Sequence, residues 1–151
     1  MEIEVLIEEA AWVDLERLAK SACPAALKAV DLDADRYSVS ILGCDDDRIA
    51  GLNAEFRGKP TPTNVLSWPS SDWHPPAPPK PGELGDIAIA HGICAREAAE
   101  QGKTLDDHLT HLLIHATLHL IGYDHETDAD AAIMESLETA ALATLGIGDP
   151  Y

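Results

Sequence analysis

A chain of 151 residues with a 46% apolar fraction is long enough to bury a real core, and we read it as one domain spanning 1–151. Its net charge of −17, from 27 acidic and 10 basic residues, excludes broad non-specific binding to nucleic acid, which needs lysine and arginine to neutralise phosphates. An RNA substrate would have to meet a local basic patch or come through a partner. No apolar run reaches the roughly 20 residues of a membrane-spanning helix. The opening Met-Glu-Ile-Glu-Val lacks the basic start and apolar middle of a secretory signal, so a cytoplasmic location is expected.

Residues 3–8 are short and β-branched and read as a strand. Residues 14–30 place Leu15, Leu18, Ala19, Ala22, Ala26, Leu27 and Val30 at helical spacing, with a break expected at Pro24. Residues 36–43 alternate and read as a second strand. Asp45 to Phe56 reads as a helix capped by Asp45 or Asp46, with Ile49, Leu52 and Phe56 on one face. A turn-rich loop, Arg57 to Asn64, holds two of the basic residues, and Val65 to Trp68 is a short strand. Six prolines between Pro69 and Pro81 mark a loop of partly polyproline character, read as an exposed connector rather than a cleft edge.

Gly85 to Ala90 reads as a further strand and Ala95 to Gln101 as a helix closing at Gly102. Thr104, with Asp107 three residues on, opens a largely buried helix that runs to about Ile121. A last helix runs from about Asp128 to Leu145, with Ala132, Ile133, Leu137 and Leu142 turned inward. Strands interleaved with helices predict an α+β fold with a single mixed sheet of about four strands. Cys23, Cys44 and Cys94 are odd in number and widely spaced, and are expected to be reduced thiols.

The chemistry concentrates in His115-Ala116-Thr117-Leu118-His119-Leu120-Ile121-Gly122-Tyr123-Asp124-His125. His115 and His119 share one helical face, one turn apart. Gly122 sits where the helix must stop if His125 is to turn back to the same point. Three converging imidazoles suit zinc with one position left for water, and they also suit nickel or copper. The spacing H-x-x-x-H-x-x-G-x-x-H also occurs in metzincin proteases. Those carry a glutamate after the first histidine as general base, whereas this chain has Ala116, which moves no proton. Asp86 and Asp124 are candidates to accept the remote N–H of a ligating imidazole. His108 and His111 lie on the same stripe and are candidates to line a cleft. His74 and His91 have no assigned role.

The metal stretch, with Leu52-Asn53-Ala54-Glu55-Phe56-Arg57-Gly58-Lys59, Pro62-Thr63-Asn64-Val65-Leu66-Ser67-Trp68-Pro69 and Gly85-Asp86-Ile87, resembles the YbeY family of bacterial rRNA maturation factors. The resemblance runs in order over about residues 36–146. It implies a zincin-like domain and a Zn²⁺-dependent, single-strand-specific endoribonuclease that matures the 3′ end of 16S rRNA and takes part in ribosome quality control. Single-stranded rRNA and the small ribosomal subunit with its proteins are the implied partners. His115, His119 and His125 would be the ligands and Arg57 the functional arginine, whose planar fork suits a phosphate. Ala116 stands where many members have glycine, and Trp68 where phenylalanine is usual. The residues do not choose between metal-hydroxide attack and attack by the RNA 2′-OH. Two rivals remain: a zincin-like metalloprotease, and a non-catalytic assembly factor with a structural metal.

Overall fold

In the computed structural model, which describes residues 1–151, the alternating stretches pair into one four-stranded sheet. The strands are β1 (Glu2–Ile7), β2 (Tyr37–Cys44), β3 (Val65–Pro69) and β4 (Gly82–Ala90), in the spatial order β1-β2-β4-β3. β1, β2 and β4 run parallel, and β3 closes one edge antiparallel to β4. Five helices complete the chain: α1 (Leu15–Ala29), α2 (Asp46–Arg57), α3 (His91–Glu100), α4 (Leu105–Leu120) and α5 (Asp128–Thr144). The expected α+β architecture with a mixed sheet of four strands is what forms.

Strand parity divides the core. Val39, Ile41, Leu84, Ile87 and Ile89 face α1 and α4 in the main cluster, which also takes in Met134, Ala141 and Leu142 of α5. Cys44, Ala88 and Ala90 join Ile49 and Leu52 of α2 and Leu66 in a second cluster. α4 is the hub: Leu113, Ile114, Leu118 and Leu120 are fully buried. Each contributes about 1.5–3 kcal/mol by leaving water. No helix is long and apolar enough to cross a membrane.

Several local expectations are corrected. Pro24 does not break α1, which is continuous through it. The hydrogen bond that Pro24 cannot donate would have gone to Lys20, an exposed position where water can serve that carbonyl. Burial of Ala22, Cys23, Ala25 and Ala26 on either side holds the helix together. α3 starts at His91, directly off the strand, earlier than Ala95. Phe56 is 57% exposed rather than packed beneath α2. In α5 the buried face carries Met134, Glu138, Ala141 and Leu142, while Ala132 and Ile133 are exposed. The three cysteines are free and buried.

Candidate metal centre

α4 begins at Thr104, whose hydroxyl accepts from the Asp107 backbone N–H at 3.1 Å. Its end is a Schellman turn: Gly122 N–H donates to His119 O at 3.1 Å and Tyr123 N–H to Leu118 O at 3.1 Å. Gly122 takes φ +102°, and a Cβ there would lie 2.3 Å from the Trp73 carbonyl oxygen. A side chain at this position is therefore excluded twice, by conformation and by space. The turn carries the chain back, and His115, His119 and His125 offer ligand atoms that all lie within 4.8 Å of one another.

Nitrogens bound to one tetrahedral zinc at about 2.0–2.1 Å stand about 3.4 Å apart, so the three rings would need to close by roughly an ångström to hold one. The His115 and His119 rings meet edge to face at 4.6 Å, and the His115 and His125 rings stack at 5.4 Å. Burial, then the neighbouring His115 and His125, lowers the His119 pKa to about 4. That imidazole stays neutral, the form a metal needs.

The three histidines open into a cleft of roughly 700 Å³. Its far wall is the loop after α2 together with β3: Arg57, Thr63, Asn64, Val65 and Ser67. Asp45 caps α2 by accepting from Arg48 N–H at 2.8 Å, and Gly58 ends the helix at φ +69° just after Arg57. Asn53, buried beneath, donates to Thr61 O at 2.9 Å and pins the loop. The paired arginines are Arg17, Arg48 and Arg96, so Arg57 faces the cleft free of an acidic partner.

The carboxylate against the histidine group is neither of those expected. Asp86 lies on β4 opposite Trp68, exposed in a separate groove with Glu4, Leu6 and Phe56, away from the imidazoles. Asp124 lines the cleft, but its hydrogen bond is to Glu126 N–H at 3.3 Å, within the turn. Glu138 of α5 instead reaches His115 Nδ1 at 3.3 Å. Its other oxygen meets His111 Nε2 and accepts from the Tyr151 hydroxyl at 2.8 Å. Burial pushes the Glu138 carboxyl up, but hydrogen bonds from His111 and His115 outweigh it and bring the pKa down to about 2.

The remaining histidines separate. His111 lines the cleft, whereas His108 is 4% exposed and bonds Glu97 at 2.9 Å. His91 packs edge-on against Trp12, and exposed His74 pairs with Asp72. The proline loop does not line the cleft. It backs the turn that carries His125, with Trp73 against Gly122.

Two imidazoles on a buried helix, a third from the turn beyond and an antiparallel edge strand alongside define an α+β domain with a three-histidine group that could hold a metal ion. The family model "Endoribonuclease YbeY" matches residues 3–146, and the chain belongs to that family. An endoribonuclease YbeY of Dinoroseobacter shibae is 59% identical over 162 residues, covering 99% of this chain and 90% of its own length. That of a Jannaschia species is 56% identical, with 100% of both chains covered. The solution structure of TM1509 from Thermotoga maritima shares the fold, with a TM-score of 0.60 over 95% of this chain and 91% of that one, at 24% identity.

Proposed function

We propose that this chain is a metal-dependent endoribonuclease that cuts single-stranded rRNA, with the 3′ end of 16S rRNA as its target and the small ribosomal subunit as its setting. The observation that supports this best is the meeting of His115, His119 and His125 in an open cleft whose opposite wall presents an unpaired arginine. Family membership supplies the reaction class.

When bound, zinc or a similar ion supplies Lewis acidity toward a phosphoryl oxygen and acidifies a coordinated water. The chain's own residues do the rest. His115, His119 and His125 would hold the ion at the floor of the cleft they line. Arg57 pairs with the scissile phosphate through its planar guanidinium, matching two oxygens at once. The cleft floor beside His115 is Ala116, 1% exposed, so no carboxylate serves as base in the place where a protease has one.

The test is cleavage of a short single-stranded RNA against its duplex by purified, zinc-loaded protein. Single strand is cut and duplex is spared. Alanine at His115 or His119 removes both metal and cleavage. Arg57→Ala keeps the metal and slows cleavage by roughly 10²–10³-fold, the cost of losing one preorganised group that stabilises developing charge. Intact RNA after incubation with protein carrying stoichiometric zinc would overturn the proposal.

A further inference from the structure

The buried carboxylate between α4 and α5 has a role beyond joining two helices. Glu138 is 1% exposed, and it divides its two oxygens. Oε1 serves His111 and Tyr151, while Oε2 serves His115 alone, at Nδ1. A tie between helices would be complete with Oε1 only. A carboxylate on Nδ1 keeps the proton on that nitrogen and leaves the Nε2 lone pair of His115 for the cluster with His119 and His125. We infer that Glu138 is the positioning residue of the metal centre, which fixes the tautomer and ring orientation of His115 from α5. His111 and Tyr151 hold the other oxygen and so keep the carboxylate from rotating away. The inference rests on the metal reading of the three histidines and adds to it a fourth side chain that touches no metal.

The experiment measures zinc affinity by competition with a chromophoric chelator, for the full chain and for Glu138→Gln. The amide keeps the size of the side chain but loses the charge that holds the Nδ1 proton. Zinc binding is expected to weaken roughly 10–100-fold, the usual effect of removing a partner of a ligating imidazole. Tyr151→Phe, which removes one of the two groups holding Oε1 and none that touches His115, is expected to weaken zinc binding less than Glu138→Gln does. Equal zinc affinity in parent and Glu138→Gln would overturn the role. Should the glutamine variant fail to fold, long-range ¹H–¹⁵N spectra of the metal-free parent decide: the His115 proton is expected on Nδ1, and a proton on Nε2 would overturn the inference. A parent that binds no zinc refutes the metal reading itself, which is a different result from a parent that binds and a variant that binds equally.

Discussion

At the scale of single residues, the site depends on one position with no side chain. Gly122 must take φ +102° and must leave room for the Trp73 carbonyl. The first comes from the need to reverse the chain within three residues so that His125 faces the helix it follows, the second from the proline loop packed on that turn. Gly122→Ala is expected to cost more than about 1 kcal/mol, because a β-carbon is disfavoured at positive φ before any clash is counted. It should also weaken zinc binding by shifting His125. Melting with and without zinc checks both effects: a variant with the parent's melting temperature in each condition would show that the turn tolerates a side chain.

At the scale of elements, the cleft wall opposite the three histidines is held by a polar network as well as by the packing of Leu66. Asn64, just ahead of β3, accepts from Val65 N–H at 2.7 Å and donates to Glu97 of α3 at 3.1 Å. Glu97 also meets buried His108 of α4 at 2.9 Å. Three elements therefore fix the start of the strand that lines the cleft. Removing one partner of a buried hydrogen bond costs about 1–3 kcal/mol. Glu97→Ala is thus expected to lose that much stability in urea. It should slow RNA cleavage while leaving zinc affinity within about twofold, because neither Glu97 nor Asn64 touches a ligand. A variant that lost zinc and cleavage in parallel would place the network's role at the metal instead.

At the scale of the whole molecule, charge governs how RNA is met. With 27 acidic against 10 basic residues, and Arg57 and Lys59 the basic pair in the loop beside the cleft, few phosphates are neutralised. Each phosphate contact to a single strand contributes about −0.7 to the slope of log affinity against log salt. A slope between roughly −1 and −2 is expected from titrations of a single-stranded RNA, and a slope steeper than −4 would reveal a basic surface elsewhere. Acid stability of the metal-free protein follows from His119. Folded, this imidazole takes a proton near pH 4; unfolded, near 6.5. Between those values the unfolded chain binds more protons, so stability present above pH 6.5 is lost as pH falls toward 4. Urea midpoints across this window should fall more steeply in the parent than in His119→Asn, and identical profiles would show that His119 does not titrate this way.

The three histidines that gather, the helix bearing two of them and the glycine that ends it were legible in the residues alone, because helical period and turn chemistry are local properties of adjacent side chains. The sheet was legible for the same reason, through alternation. What alternation cannot tell is which face of a strand receives a given helix, so Asp86 read as a partner of the imidazoles when it lies in another groove with Glu4 and Trp68. Nor can helical period tell a solvated acid from a buried one. Glu138 stands in a helix with Asp128, Asp130 and Glu135, and nothing along the chain separates it from them. Only the packing of α5 against α4 buries it, exposes Ile133 instead, and sets its carboxylate on His115. The gathering of the three histidines is thus a matter of local spacing, and the carboxylate set against one of them is a matter of which helix faces lie together.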